Sequence, residues 1–344
     1  MRAWVIEEHG GPEVFKQIEL PRPEPGPGQV RIRVAATSVN PVDCKIRSGA
    51  AEALCPPKVA ILHGDVSGVI DAVGEEVERY KIGDKVYGCV GGYGPTQGVL
   101  ADFTIADQYR IWHAPQTIAI EDAAALPLAS ITAFEGIKKT GISESMRAVS
   151  EAGIDKPMQV LVHAGTGGVG HIAVQAIKGL GAYVATTVST KDKAEIAARL
   201  GADDVINYHE EDIDHYVARI TKSRGFDLVF DTVGGPNLAA SIQSVKHNGQ
   251  VVCIQGRTEI DGGALHAKGV SLHLVFMLIP YLQGIPDIRH TGILKHVAKL
   301  VDEHKLRPLI DALRFSFDSV ADAHAYAESG KQIGKVLVVH PDHA

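Results

Sequence analysis

The sequence has little cysteine. Its 344 residues include four cysteines, and no two of them form a C-x-x-C pair. Thiols so widely spaced exclude a cysteine-rich zinc knot and fit reduced side chains in a cytoplasmic protein. The opening residues, MRAWVIEEHG, place Glu7 and Glu8 where a secretory signal would be apolar, so no signal peptide is predicted.

Basic runs and long apolar runs are also missing. The net charge is −7 and no stretch of Lys and Arg supplies a basic face, so nucleic acid is not expected as a partner. The longest apolar stretch, Gly269 to Gly284, is interrupted by His273 and Pro280 and falls short of the ~20 apolar residues that a membrane span needs. With 45% hydrophobic and 22% charged residues, the chain is typical of a soluble protein with two domains.

The first third of the chain has the pattern of strands. From Val30 onward, VRIRVAATSVN alternates apolar and polar residues with a period of two, and short strand-like segments bounded by Gly, Pro or Asp follow it. The segment from Pro21 to Gly28, PRPEPGPG, is typical of a turn or linker. We therefore predict an antiparallel, barrel-like domain here.

From Val160 to Gly256 the segments change character, because strand-like and helix-like stretches alternate. Such alternation predicts a parallel sheet with helices on both faces. Beyond Pro286 a helix, a short strand, a second helix and the closing strand KVLVV are predicted. For that second helix, Asp318 is the predicted N-cap and Gly330 the predicted C-cap.

The most informative stretch is VLVHAGTGGVG, from Val160 to Gly170. Glycines in it fit the spacing G-x-G-x-x-G, directly after a predicted strand and at the start of a predicted helix. Glycine there allows a tight turn, a close approach of a pyrophosphate and close helix–strand packing, while the helix N-terminus offers N–H groups to phosphates. The alternative is a glycine-rich turn without a ligand. The predicted cofactor-binding residues in this loop are Gly165, Gly167, Gly168, Val169 and Gly170.

The end of the next strand bears on the choice of nucleotide. An NAD site usually has an Asp or Glu there to hold the ribose 2′-OH. This chain has Ser189, then Lys193, with Tyr208 at the end of the third strand. Hydroxyl groups and a lysine suit a 2′-phosphate, so NADPH is the predicted cofactor. Two alternatives stay open: Lys193 is a solvated residue on a helix start, or Asp192 is a displaced acidic partner.

The whole chain resembles the medium-chain dehydrogenase/reductase superfamily, and within it the zinc-independent quinone oxidoreductases, which include zeta-crystallin. The matching stretches are SVNPVDCKIRSG, ILHGDVSGVI, KIGDKVYG, AALPLASITAFEG, the glycine loop, GADDVINY, FDTVGG and IGKVLVV. The resemblance implies an α/β fold. It pairs a GroES-like β-rich catalytic domain over 1–126 and 293–344 with a Rossmann domain, a doubly wound parallel sheet, over 127–292.

The resemblance also implies that no metal is bound. In zinc alcohol dehydrogenases of this superfamily, a Cys, a His and a Cys hold the zinc, and these positions fall here on Asn40, Gly64 and Ala129, which cannot bind it. His63 is out of register and is predicted to be a packing or hydrogen-bonding residue. Without a Lewis acid, alcohols are poor substrates, whereas a quinone or an enone needs only a positioned hydride and modest polarisation of its oxygen.

Further roles follow from the resemblance. Asn40 is placed near the nicotinamide and substrate, Asp43 supports it, and Tyr93 is a candidate hydroxyl donor, with a surface anchor as the alternative. Soon after the position of Asp43, where the family often has a Tyr, this chain has Cys44 and Lys45. The insertion at 143–157 is longer than usual and has no predicted role. The remaining predicted cofactor-binding residues are Thr132, Val233, Gly234, Gly256, Phe276 and Leu278.

Three functions are compatible with this sequence. The first is an NADPH-dependent quinone oxidoreductase. The second is an NADPH-dependent reductase of the double bond in enones or 2-alkenals. The third is an NADPH-binding structural or RNA-associated protein with little turnover, against which the negative charge counts. A homodimer is also predicted, because the apolar edge strand near Val270 to Leu278 needs a partner and the family pairs it across a two-fold axis.

Overall fold

The chain is divided into two compact units. The computed structural model describes residues 1–143, 157–285 and 287–343. Residues 144–156 of the predicted insertion therefore lie outside the described residues. One unit comprises Met1–Ile131 and Leu278–Ala344, and the other comprises Thr132–Met277. The second unit lies within the predicted domain 127–292 and is shorter at both ends.

The strands and helices are numbered here along the chain. The strands are β1 (Arg2–Ile6), β2 (Lys16–Glu19), β3 (Gln29–Val39), β4 (Ala60–Ile61), β5 (Asp65–Val73), β6 (Lys85–Cys89), β7 (Phe103–Asp107), β8 (Ile111–His113), β9 (Gln159–Val162), β10 (Tyr183–Val188), β11 (Asp204–Asn207), β12 (Phe226–Asp231), β13 (Val245–Cys253), β14 (Ser271–Leu274), β15 (Ile310–Ser316) and β16 (Lys335–Val339). The helices are α1 (Pro41–Arg47), α2 (Ile120–Ala123), α3 (Pro127–Thr140), α4 (Gly170–Gly179), α5 (Lys191–Arg199), α6 (Ile213–Thr221), α7 (Asn237–Ser244), α8 (Gly262–Lys268), α9 (Ile279–Leu282), α10 (Ile288–Asp302) and α11 (Val320–Glu328). Single 3-10 turns cover Pro12–Val14, Glu52–Leu54, Phe317–Ser319 and Pro341–His343.

The first unit is rich in antiparallel strands, as predicted. A three-stranded sheet has the order β2-β1-β4, and a seven-stranded sheet has the order β15-β16-β3-β5-β6-β8 with β7 paired to β3. Strand β3 lies at the centre and its alternating residues Val30, Ile32 and Val34 are fully buried. The closing strand β16 pairs antiparallel with β3, with Val336 opposite Val39. This register brings the last strand beside the start of α1.

The second unit contains one parallel sheet, which confirms the predicted alternation. The order is β11-β10-β9-β12-β13-β14, and every pairing in it is parallel. Its central strand β9 is a nearly continuous apolar run, as expected when helices cover both faces, and Val160, Leu161 and Val162 are fully buried. The strand order reverses between β9 and β12, so the loop that follows β9 lies at the switch point where such sheets bind ligands.

Two local predictions were wrong. Asp318 does not cap α11, because it lies inside the 3-10 turn Phe317–Ser319 and Ser319 is the N-cap of the helix. Gly330, in contrast, follows the C-cap with φ of 70°, the left-handed geometry expected after a helix. The edge strand near Val270 to Leu278 is shorter than predicted, since β14 ends at Leu274. Among the described helices, none is both long and apolar enough to cross a membrane.

Candidate active site

The glycine loop of the second unit is built by close packing. A Cβ on Gly165 would lie 2.1 Å from Oγ1 of Thr186, and one on Gly170 would lie 2.1 Å from the carbonyl oxygen of Ala164. Both positions therefore require glycine, and they let α4 pack closely on the sheet, as the sequence predicted. Helix α4 begins at Gly170, and no side chain among the described residues caps its first turn. Its N-terminus can therefore offer N–H groups and a partial positive charge to an anion.

Predicted nucleotide-binding side chains gather at the ends of the neighbouring strands β10 and β11. The backbone N–H of Tyr208 donates to the carbonyl of Val188 at 3.3 Å, so Ser189 and Tyr208 follow paired strand ends. Thr190 caps α5 by accepting from the backbone N–H of Lys193. Across the described part of the chain, no group bonds to Nζ of Lys193. The carboxyl edge of the sheet therefore presents hydroxyl groups and a lysine.

Asp231 shapes the next part of this edge, at the end of β12. Its buried carboxylate accepts hydrogen bonds from the backbone N–H groups of Val233 at 2.9 Å and Gly234 at 2.8 Å. It also accepts from Asn237 Nδ2 at 3.0 Å and Ser241 Oγ at 2.9 Å. One carboxylate thus fixes the turn that carries two predicted cofactor-binding residues. Sequence reasoning missed Asp231, although an acidic residue ending an apolar strand is a signal that could have found it.

Further predicted positions follow the same edge. A Cβ on Gly234 would lie 2.3 Å from the carbonyl oxygen of Gln255, and a Cβ on Gly256 would lie 3.2 Å from Leu274. Phe276 follows β14 and is 47% exposed. The remaining two predicted residues lie elsewhere: Thr132 is buried at the first position of the second unit, and Leu278 belongs to the first unit.

The first unit holds a buried polar cluster around Asn40. Asp65 has no exposed surface, and its Oδ2 accepts hydrogen bonds from Ser38 Oγ at 2.7 Å and from Asn40 Nδ2 at 2.8 Å. The ammonium of Lys335, which is 3% exposed, donates to Asn40 Oδ1 and lies 3.4 Å from Asp65 Oδ2. The backbone N–H of Leu128 donates to the other oxygen of Asp65 at 2.7 Å. Asn40, the predicted polarising residue, is therefore hydrogen-bonded to both members of an ion pair, Lys335 and Asp65.

Asp43 and Tyr93 lie next to this cluster. The backbone N–H of Asn40 donates to Asp43 Oδ2 at 2.8 Å in the capping box that begins α1. The hydroxyl of Tyr93 donates to Asp43 Oδ1 at 3.4 Å. Burial raises the pKa of Asp43 to about 7, and it raises the pKa of Tyr93 well above its ordinary value. Tyr93 is fully buried, so the alternative of a surface anchor was wrong.

A histidine pair lies behind the cluster and confirms the prediction for His63. Nε2 of His63 lies 2.8 Å from Nε2 of His324, while its Nδ1 lies 3.4 Å from Oγ1 of Thr37. Nδ1 of His324 lies 3.5 Å from Sγ of Cys44. Burial lowers the pKa of His324 to about 3 and lowers the pKa of His63 well below its ordinary value, so both rings are neutral near pH 7.

The structure thus brings Asn40, Asp43 and Tyr93 together and adds two residues that the sequence did not reveal, Asp65 and Lys335. Each is a charged residue at the start of a largely apolar strand, which is a signal that a partner exists. The sequence could not identify the partner. Asp65 and Lys335 are 270 positions apart, and they meet because β3 pairs with β16 on one side and with β5 on the other.

Two family models match the chain. One is described as the alcohol dehydrogenase GroES-like domain and matches residues 26–116. The other is described as a zinc-binding dehydrogenase and matches residues 200–338. Both descriptions belong to one class of protein, the two-domain oxidoreductases with a GroES-like unit and a nucleotide-binding sheet, and the observed fold is of this class.

Relatives in sequence narrow this class. A 2-methylene-furan-3-one reductase of Solanum lycopersicum is 33% identical, over 99% of this chain and 79% of that protein. A chloroplastic NADPH-dependent alkenal/one oxidoreductase of Arabidopsis thaliana is 33% identical, over 98% of this chain and 79% of that protein. A quinone oxidoreductase of Salmonella typhimurium is 31% identical, over 97% of this chain and 98% of that protein.

Solved structures agree with the sequence relatives. An alcohol dehydrogenase superfamily protein from Novosphingobium aromaticivorans matches with a TM-score of 0.88 and 33% identity, over 98% of this chain and 99% of that one. The Escherichia coli quinone oxidoreductase complexed with NADPH matches with a TM-score of 0.80 and 26% identity, over 98% of this chain and 100% of that one. This chain therefore belongs to the medium-chain dehydrogenase/reductase superfamily, in its zinc-independent quinone oxidoreductase branch.

Proposed function

We propose that this protein is an NADPH-dependent oxidoreductase that reduces a quinone without zinc. The observation that carries the proposal is the carboxyl edge of the parallel sheet. The glycine loop there requires glycine for its packing, and the ends of β10 and β11 offer Ser189, Lys193 and Tyr208 in place of an acidic residue. A relative of 33% identity is named for its dependence on NADPH, and a structure of similar fold was solved with NADPH.

NADPH fits the residues present. Its pyrophosphate would meet the glycine loop and the uncapped N-terminus of α4. Its 2′-phosphate would meet Lys193 and the hydroxyl groups of Ser189 and Tyr208. When bound, it supplies a hydride, which together with one proton from water converts a quinone to a hydroquinone. Asp231 holds the turn at Val233 and Gly234 against which the nicotinamide ribose would rest.

The residues around Asn40 support chemistry without a metal. At the three positions of the zinc ligands the chain has Asn40, Gly64 and Ala129. The cation within hydrogen-bond reach of Asn40 is the ammonium of Lys335. Asn40 would polarise the acceptor's oxygen by a hydrogen bond, which suffices for an acceptor that is already electrophilic.

An enone or 2-alkenal is the second candidate acceptor. Two relatives of 33% identity are named for reducing a 2-methylene-furan-3-one and an alkenal/one. These acceptors need more polarisation than quinones do. An NADPH-oxidation screen across quinones, enones and aldehydes separates the two candidates. NADPH binding without turnover on any acceptor would instead favour the third function, a binding protein.

The cofactor preference is tested by titration. Lys193→Ala should weaken NADPH binding by roughly 1.5–3 kcal/mol, because a charge-assisted hydrogen bond is lost, or on the order of ten- to a hundredfold in affinity. NADH binding should be unaffected. The matched control is Lys191→Ala, an exposed lysine on the same turn. Equal affinities of the parent for NADPH and NADH would contradict the proposal.

The metal-free claim has its own test. The metal content of the purified protein is measured, and NADPH oxidation is assayed before and after treatment with a chelator. We expect no stoichiometric zinc and unchanged turnover. Stoichiometric zinc, or turnover abolished by the chelator, would defeat the claim.

Two further properties are proposed. We propose a homodimer joined through β14, which lies at an edge of the parallel sheet and exposes Leu274. A cytoplasmic location is supported by the four cysteines, all of which are free thiols.

A further inference from the structure

In the first unit, Lys335 and Asp65 form a buried ion pair. The free energy needed to remove the two charges from water is large, and stability alone does not explain why the pair is present. Lys335 is 3% exposed and Asp65 is fully buried. Removing two charges from water costs about as much as their attraction returns, and well-packed apolar residues are often equally stable in such places. A pair of this kind points to a need for the charges themselves.

The hydrogens of the buried Lys335 ammonium are turned towards protein acceptors. The ammonium carries three hydrogens, and three acceptors surround it: Asn40 Oδ1, Val39 O at 3.3 Å and Asp65 Oδ2 at 3.4 Å. Its effect on a reaction would therefore pass through Asn40, the one side chain among these that carries an amide.

Charge fixes the direction of the Asn40 amide. Its oxygen faces the ammonium of Lys335, and its nitrogen donates to the carboxylate of Asp65 at 2.8 Å. The flipped amide would place NH₂ against NH₃⁺ and oxygen against oxygen, so the electrostatics allow one orientation only. Asp65 is itself held by Ser38 and by the backbone N–H of Leu128.

This orientation leaves one hydrogen of the amide for another acceptor. The nitrogen of Asn40 carries two hydrogens, and one of them is bonded to Asp65. The other acceptor within reach among the described residues is the carbonyl of Ser38, and at 3.5 Å that hydrogen bond is long and weak, so the oxygen of a substrate can replace it. An amide whose oxygen accepts from a cation is also polarised, and its N–H groups become stronger donors.

We infer that Lys335 and Asp65 are positioning residues: together they aim and polarise the Asn40 amide so that its remaining N–H binds the oxygen of the acceptor. The inference rests on the proposed function, because it takes a quinone or enone as the group that Asn40 meets. It adds a division of labour in which Asn40 touches the substrate and the ion pair acts on it through Asn40.

The test is a double-mutant cycle between Lys335→Met and Asn40→Ala, assayed with one quinone and one enone. Lys335→Met should lower kcat/KM for the enone by roughly 10²-fold, the loss typical of one polarising donor. The loss for the quinone should be smaller, and the dissociation constant of NADPH should not change. In the Asn40→Ala background, Lys335→Met should have little further effect, because the group it acts through is gone.

Controls separate positioning from folding. Lys268→Met removes another lysine that donates to backbone carbonyl groups, in the second unit, and should leave the ratio of enone to quinone activity unchanged. If Lys335→Met alone does not fold, the double variant Asp65→Leu/Lys335→Met removes both charges and leaves no unpaired buried charge. Its enone activity should fall as in the single variant.

The outcomes are distinct. Additive losses in the cycle, or equal losses with quinone and enone, would show a general structural role and overturn the inference while the proposed function stands. If the parent protein does not oxidise NADPH with any of the acceptors, both the inference and the proposed function are overturned.

Discussion

At the scale of single residues, Asp43 is expected to make the free energy of unfolding depend on pH. Burial raises the pKa of its carboxyl to about 7, far above the value of about 4 expected when the chain is unfolded. Between these values the folded protein binds a proton that the unfolded chain does not. The contribution of Asp43 to the free energy of unfolding is therefore lost as the pH rises from about 4 through 7.

Asp43→Asn should remove this dependence. The amide oxygen keeps an acceptor for the backbone N–H of Asn40 and carries no charge. The free energy of unfolding of the variant minus that of the parent should increase by about 2–3 kcal/mol from pH 5 to pH 8. Urea unfolding at the two pH values measures the change. The exposed Asp318→Asn is the control, and a difference between variant and parent that is constant with pH would refute the prediction.

At the scale of elements, the histidine pair joins α11 to the segment between β4 and β5. Both rings are buried and uncharged, and burial lowers the pKa of His324 to about 3. In the unfolded chain each ring binds a proton below about pH 6.5. Stability from the pair is therefore fully present above that pH and is lost as the pH falls towards 3, a sign opposite to that of Asp43.

We expect His324 to lower the free energy of unfolding by about 2 kcal/mol between pH 7 and pH 5, and His63 to lower it further in the same direction. His324→Gln keeps a hydrogen-bonding side chain and removes one titrating group, so its loss over this range should be smaller than the parent's by that amount. His266→Gln, on an exposed position of α8, should behave as the parent does. Equal losses in all three proteins, measured by urea unfolding, would rule out the assignment.

The positions of strands and helices were predicted from the sequence better than the contacts in the candidate site. Periodicity located β3 and every strand of the parallel sheet, because a buried strand must be apolar whatever its neighbours are. Capping at α11 was missed, because a 3-10 turn precedes the helix and moves its first residue past Asp318. The edge strand β14 was predicted to be too long because the apolar run continues into α9. Hydrophobicity alone does not show where the hydrogen bonds between strands end.

At the scale of the whole molecule, the exposed edge of the parallel sheet predicts a dimer. Strand β14 has one paired side, and Leu274 at its end is 47% exposed. An unpaired apolar edge is a site of association. Leu274→Lys should convert the dimer to a monomer in light scattering at micromolar concentration. Leu313→Lys, which changes a residue 51% exposed on β15 at an edge of the seven-stranded sheet, should not. A parent protein that is already monomeric would contradict the prediction.

The candidate site was only partly predictable on the same scale. The glycine loop could be found because its residues are consecutive, and Asn40 could be found because its motif is local. Asp65 and Lys335 could not be paired, because their contact depends on which strands lie side by side and in which register. A shift by one residue would turn Lys335 to the other face of its strand.

The pairing of β16 with β3 also determines an order of events while the ribosome makes the chain. Domains fold as they emerge from the N-terminus onward, and Thr132–Met277 is one uninterrupted stretch. The nucleotide-binding unit can therefore form while the first unit still awaits its closing strand. Until Lys335 is synthesised, its ion pair with Asp65 cannot form, so the buried polar cluster around Asn40 is among the last parts of the nascent protein to become complete.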